Sequence, residues 1–187
     1  SAVTSVLAAK TGLPLICVEM PIHQNKTQVE RGLKHIEWLK NNFSNVSSIK
    51  LELTSIFDEF IIKLPPNNKN ELALGNTRAR LRMTALYYFA QASNSLVLGT
   101  GNKVEDFGIG FFTKYGDGGV DISPIADLLK SEVYALAKEL AINNDIITAP
   151  PTDGLWEDNK TDEEQIGANY PELEWAMDFN GNKNLLS

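Results

Sequence analysis

Two stretches hold the residue types that chemistry on a polyanion needs. The first is Gly99-Thr100-Gly101-Asn102-Lys103-Val104-Glu105, followed by Gly108-Ile109-Gly110-Phe111-Phe112-Thr113-Lys114-Tyr115-Gly116-Asp117-Gly118-Gly119. Glycines let a backbone approach a phosphate chain closely, a carboxylate such as Glu105 can ligate a hard cation, and a lysine such as Lys114 supplies counter-charge. Taken singly, Asp117-Gly118-Gly119 reads equally well as a tight turn, and Gly108 and Gly110 as loop punctuation. Their concentration in one place points to a ligand. The second stretch is Gly75-Asn76-Thr77-Arg78-Ala79-Arg80-Leu81-Arg82-Met83. At about 100° per residue of helix, Arg78 and Arg82 share a face that reads as solvated. Arg80 points roughly the opposite way, where a guanidinium can grip a phosphate or carboxylate through two hydrogen bonds.

These residues must be held by elements that the pattern of apolar positions predicts. Ser1 to Lys10 reads as a helix with Val3, Val6 and Leu7 at helical spacing and Gly12 as its stop. Leu15 to Val18 is a short apolar run of the kind covered on both faces, predicted to be a central parallel strand. Thr27-Gln28-Val29-Glu30 has the form of a capping box, opening a helix that runs to about Asn42 with Val29, Leu33, Ile36 and Leu39 on one face. Ile49, Leu51 and Leu53 alternate as a strand does, Ile56 to Ile62 reads as helix, and a long helix is expected from about Glu71 to Ala92. Ser95 to Gly99 is a further apolar strand, followed by an irregular Gly-rich segment to Asp121 and a helix from about Ser131 to Leu140. Beyond Pro150-Pro151 come a capping box at Thr161 to Glu164 and a last helix near Tyr170 to Phe179 with Pro171 in its first turn. Strands alternating with helices in this rhythm predict an α/β fold, a doubly wound parallel sheet with helices on both faces, as one domain over residues 1–187. In such a sheet ligands gather at the carboxyl ends of the strands, after Val18 and after Leu98.

Composition narrows the classes of partner. The chain has 187 residues, 43% hydrophobic and 22% charged, a normal globular proportion. A net charge of -7 argues against a protein that grips nucleic-acid phosphates as its main task, so an anionic ligand must be held by a few local cations. No apolar stretch approaches the roughly 18 residues of a membrane span. Cys17, the one cysteine, lies in the apolar run Leu15-Ile16-Cys17-Val18 and reads as a buried thiol. His23 and His35 carry no partner pattern and read as structural. A reducing, cytoplasmic setting is the expectation.

In order along the chain, Gly75-Asn76-x-x-Ala79-Arg80-Leu81-Arg82-Met83, Gly99-Thr100-Gly101-Asn102 with Glu105, Gly110 to Gly118, and Asp121-Ile122-x-Pro124 resemble the NAD synthetase family of ATP pyrophosphatases, in its ammonia-dependent form. Gly154-Leu155-Trp156 and Thr161-Asp162-Glu163 are also similar to that family. The resemblance implies a ligase that adenylates the nicotinate carboxylate of deamido-NAD with Mg-ATP and lets ammonia displace AMP, giving NAD and pyrophosphate. It implies ATP contacts at Ser1, Thr100, Lys130 and Thr152, a catalytic role for Lys130, a Mg2+ ligand in Glu105, and deamido-NAD contacts at Arg80, Lys114 and Asp121. Lys130 and a carboxylate-held cation suit that chemistry, because adenylyl transfer builds negative charge on phosphate oxygens. A homodimer, without nucleic acid or membrane, is the implied assembly.

The family also carries a Ser-Gly-Gly-x-Asp-Ser phosphate loop between its first strand and helix. Ser1 falls on the last serine of that motif, so the resemblance leads one to expect a preceding strand and loop, and a following tail with a His-Lys pair. Two alternatives stand beside this reading: the core of a glutamine-dependent NAD synthetase, which adds an amidase domain, and a non-catalytic nucleotide-binding module.

Overall fold

The structure is a computed structural model that describes residues 2–65, 70–152, 154, 161–179 and 181. Helix α1 (Ala2–Lys10) turns Val3, Val6 and Ala9 inward. Gly12, just beyond it, takes the left-handed φ of 77° that ends helices. The chain then enters strand β1 (Leu15–Glu19), crosses through helix α2 (Lys26–Asn42) and returns in strand β2 (Val46–Lys50), parallel to β1 with Leu15 opposite Val46 and Glu19 opposite Lys50. The start of α2 differs from expectation. Asn25 is the cap, its side chain accepting from the Thr27 N–H at 2.9 Å, because an Asn two residues ahead offers its oxygen to the first turn before the Thr27 box can form. Beyond β2 the pairing continues irregularly, as the N–H groups of Leu51 and Leu53 reach the carbonyls of Glu19 and Pro21.

Helix α3 (Thr54–Lys63) and the long helix α4 (Glu71–Ser93) follow. Asn70 caps α4, and Asn94 stops it in the left-handed conformation at φ 50°. The expected strand from Ser95 to Gly99 contracts to one parallel bridge, Leu98 to Ile122, with Gly99 N–H donating to the Ile122 carbonyl at 2.7 Å. Likewise β1, expected at the centre of a sheet, pairs only with β2 among the described residues. Lys103–Ile109 winds as a π-helical turn that periodicity did not reveal. Helices α5 (Lys130–Glu139), α6 (Asn144–Ile147), α7 (Asp162–Ile166) and α8 (Tyr170–Asp178) complete the described chain, with Pro171 in the first turn of α8.

Three apolar clusters join these elements. Val3, Val6, Leu39, Ile125, Ala137 and Ile142 unite α1, α2 and α5, with Leu15, Cys17 and Val46 of the two strands against them. Ile22, Leu53 and Phe57 seat α3 against Leu74, Leu81 and Ala85 of α4. Met83, Ala90 and Val97 pack the far half of α4 on Val120. Helix α4 is thus gripped by two clusters on different sides. Among the described residues, no helix is long and apolar enough to cross a membrane.

Candidate functional site

A cleft of 1090 Å³ is lined by Cys17 and Gln24 from β1 and its exit loop, Thr100, Asn102 and Glu105 from the segment after the bridge, Lys130 from the start of α5, and Thr152. It therefore gathers four positions singled out in the sequence: Thr100, Glu105, Lys130 and Thr152. Ser1 lies outside the described residues, as do Leu155 and Trp156.

Glu105 owes its place to Asn102, which is 2% exposed and whose side-chain oxygen accepts from the N–H groups of Val104 and Glu105, each at 3.0 Å. This cap starts the π-helical turn, and π turns within folds often mark functional sites. Lys130 is the first residue of α5, and its Nζ donates to Glu105 Oε1 at 2.7 Å. The same oxygen accepts from the Tyr170 hydroxyl at 2.7 Å, and the Lys130 ammonium stands 4.6 Å from the centre of the Tyr170 ring. With the lysine and glutamate side chains 16% and 15% exposed, the pair is largely shielded from solvent and its attraction is little screened. Tyr170 is buried, and burial, reinforced by the Glu105 charge, holds its phenol far above the usual range, so it stays a neutral donor. Asp106 is pushed up to about 6, first by burial and then by the charges of Glu105 and Asp117.

A magnesium ion is the cation that family resemblance implies. Among the described residues there is no group of three or more His, Cys, Asp or Glu side chains placed to hold a metal. Mg2+ commonly needs only one or two carboxylates together with substrate phosphates. Glu105 fits that lesser demand: both donors occupy Oε1, Glu105 lines the cleft, and the crowding of negative charge around Asp106 favours a cation.

Arg80, Lys114 and Asp121 do not line that cleft; chain neighbours of Lys114 and Asp121, Tyr115 and Val120, line a smaller pocket of 460 Å³ with Met83, Tyr87, Gly118 and Gly119. Arg80 Nε donates to the Lys114 carbonyl at 3.0 Å, and the Lys114 ammonium lies 5.1 Å from the Tyr115 ring centre. Asp121 accepts from the Tyr87 hydroxyl at 3.0 Å and from the Val97 N–H at 2.8 Å, which fixes it at the end of the bridged segment. The Asp117-Gly118-Gly119 sequence forms the tight turn that was one of its two readings, with Asp117 Oδ1 accepting from Thr113 N–H at 3.0 Å. Tyr115 takes φ 65° there, uncommon for a non-glycine residue. A Cβ on Gly116 would come within 2.9 Å of Ala79 on α4, so this glycine is needed for the turn to dock on the helix. A Cβ on Gly101 would strike the Asp106 carboxylate.

The arginine faces reverse the expectation. Arg80 is the exposed one. Arg82 is packed inward, donating from Nε to the Met20 carbonyl and from Nη2 to Gln24 Oε1, both at 3.0 Å, and Arg78 sits 5.0 Å from the Phe57 ring centre. Arg82 thus braces the exit of β1, and Arg78 packs on α3. His23 pairs with Asp58 at 2.6 Å, and His35 with Ser5 at 2.8 Å. Sequence reasoning missed Asn102 and Tyr170 as site residues. For Tyr170 the available signal was an aromatic opening a capped helix just after the Thr161-Asp162-Glu163 segment, and nothing local tied it to Glu105.

The family model described as NAD synthase matches residues 1–185. The NH(3)-dependent NAD(+) synthetase of Sulfurisphaera tokodaii is 37% identical over 179 residues, covering 93% of this chain and 60% of that protein. The chain spans little more than half the length of the curated relatives it matches. Among solved structures, the NMN synthetase from Francisella tularensis superposes with a TM-score of 0.87 at 35% identity, covering 100% of this chain and 76% of that one. The NH3-dependent NAD synthetase from Campylobacter jejuni, in complex with nitrate, gives 0.67 at 36% identity over 78% of this chain and 62% of that one. The α/β, Rossmann-like fold expected from the rhythm of the elements is the fold of these neighbours. On the family match and the shared fold together, the chain belongs to the NAD synthase family.

Proposed function

We propose that the protein is an ammonia-dependent NAD synthetase: it adenylates the nicotinate carboxylate of deamido-NAD with Mg-ATP, releases pyrophosphate, and lets ammonia displace AMP. The observation that carries this reading is the shielded Lys130–Glu105 pair in a cleft that also presents Thr100 and Thr152. Lys130 is the cation that stabilises charge on the α-phosphate oxygens as the substrate carboxylate attacks, and the two threonine hydroxyls bind the nucleotide. Glu105 would hold Mg2+, which when bound supplies neutralisation of the triphosphate. Arg80, Lys114 and Asp121 are the proposed contacts of deamido-NAD, with the two cations facing its anionic groups and the aspartate an acceptor for its hydroxyls. In the second half-reaction the ammonia nitrogen bonds to the acyl carbon, the carbon–oxygen bond to AMP breaks, and a proton leaves the new amide. A cytoplasmic homodimer is part of the proposal, supported by family resemblance and by the exposure of Leu72, Tyr87 and Tyr88 on α4.

A second reading concerns the substrate. The Francisella neighbour is described as an NMN synthetase, and its TM-score is the highest of those quoted. Nicotinate mononucleotide carries the same carboxylate and needs no site for a second nucleoside. The test is amide formation by the full-length protein, with ammonium or glutamine as nitrogen source and deamido-NAD or nicotinate mononucleotide as acceptor. NAD and AMP formed from deamido-NAD and ammonium support the proposal. Preference for the mononucleotide moves it to the second reading, activity with glutamine alone indicates an amidase partner, and no amide with either source leaves a nucleotide-binding module.

A further inference from the structure

We infer that Tyr170 is a positioning residue for Glu105, so that helix α8 sets the cation affinity of the ATP cleft. The inference deepens the reading above and rests on its assignment of Glu105 to the metal.

A lone carboxylate on a side chain with three rotatable bonds presents either oxygen in many directions. Here one oxygen, Oε1, takes two donors from two elements, Lys130 Nζ and the Tyr170 hydroxyl, each at 2.7 Å. That fixes the carboxylate plane and leaves Oε2 as the oxygen available to a cation. Lys130 alone does not secure this arrangement, because an ammonium that turns toward nucleotide phosphates lets go of Glu105. Tyr170 has no such competing task. It is 5% exposed, and its hydroxyl oxygen lies 2.7 Å from Glu105 Oε1 against 3.4 Å from Asp162 Oδ2, so its single proton goes to Glu105.

The phenol is also anchored from behind. The backbone N–H of Tyr170 donates to Glu163 Oε1 at 3.0 Å, tying α8 to α7. One turn along α8, the Glu174 carboxylate accepts from the N–H and the hydroxyl of Ser131, each at 2.8 Å, which binds α8 to the residue beside Lys130. Met177 lies against Gly108 in the π turn that carries Glu105. The last described helix therefore touches the turn bearing the carboxylate, the helix bearing the lysine, and the carboxylate itself.

The test uses Mn2+ as the probe and the full-length protein, titrated with ATP in the absence of deamido substrate, with bound metal read by its electron paramagnetic resonance. Tyr170→Phe is expected to raise the Mn2+ dissociation constant about tenfold, while ATP binding without metal changes by less than about twofold. Glu105→Gln is expected to abolish ATP-dependent Mn2+ binding. Unchanged Mn2+ affinity in Tyr170→Phe, with Glu105→Gln still defective, overturns the role of Tyr170 and leaves the metal reading standing. Unchanged affinity in Glu105→Gln overturns both. Should the phenylalanine variant fail to fold, 3-fluorotyrosine placed at position 170 keeps ring and hydroxyl. A fluorine resonance that moves when Mg2+ joins ATP supports the inference, and one that stays in place overturns it.

Discussion

Replacing Lys130 by methionine separates the chemical part of the account from the structural part. The variant keeps the aliphatic stem over the Tyr170 ring and removes the ammonium. At 2.7 Å and an effective dielectric near 20, the attraction to Glu105 is about 6 kcal/mol before desolvation. Most of that is offset by the cost of taking both charges out of water. Glu105 keeps the Tyr170 donor and opens onto the cleft, so the expected loss of stability is only about 1–3 kcal/mol, a fall of several degrees in melting temperature. The effect on catalysis is larger in kind. A preorganised cation aimed at developing phosphate charge is worth about 2.7–4 kcal/mol, or a fall of 10² to 10³ in kcat. The assay is AMP release by the full-length variant at saturating ammonium, with thermal melting as the check on folding. A folded variant whose kcat stays within about threefold of the parent refutes the role given to Lys130.

Other changes read the frame around the site. Asn102→Ala leaves the N–H groups of Val104 and Glu105 without their cap and is expected to cost about 1–3 kcal/mol and to lower activity, measured by urea unfolding and turnover. Phe57→Ala empties a site only 1% exposed between α3 and α4 and should cost about 3–5 kcal/mol in the same unfolding experiment. His35 has its pKa lowered from 6.5 to about 4, chiefly by burial. The folded imidazole is thus neutral while the unfolded chain takes up a proton below 6.5. Stability is full above that pH and declines as pH falls toward 4, by up to about 3 kcal/mol. Denaturation of the parent and of His35→Gln at about pH 7.5 and 4.5 checks this, since the glutamine variant should lose less over the interval.

What could be read in the sequence was whatever periodicity or capping encodes locally. The apolar spacing of α1 and α2, the capping box of α7, the proline start of α8 and the apolar run of β1 each marked an element, and the structure forms each of them. The arginine faces of α4 could not be read that way. With clusters around Phe57 on one side and around Met83, Ala90 and Val97 on another, the helix has no single wet face. Arg82 is held by Met20 and Gln24, about 60 residues away in sequence. The segment from Ser95 to Gly99 has the composition of a strand, but a ladder needs a partner of equal length, and Ile122 supplies one bridge. The gathering of Thr100, Glu105, Lys130 and Thr152 in one cleft follows from strand exits meeting helix starts, the place where a parallel sheet collects ligands. Tyr170 was out of reach, because its link to Glu105 spans 65 residues and depends on how α8 docks.

The central claim is adenylation, and the exchange of labelled pyrophosphate into ATP tests it most directly. With the full-length protein, Mg-ATP and no ammonia, exchange that appears only when deamido-NAD or nicotinate mononucleotide is added shows reversible formation of an acyl adenylate, the result predicted here. Absence of exchange under conditions where amide is formed, or release of ADP and phosphate in place of AMP and pyrophosphate, contradicts it.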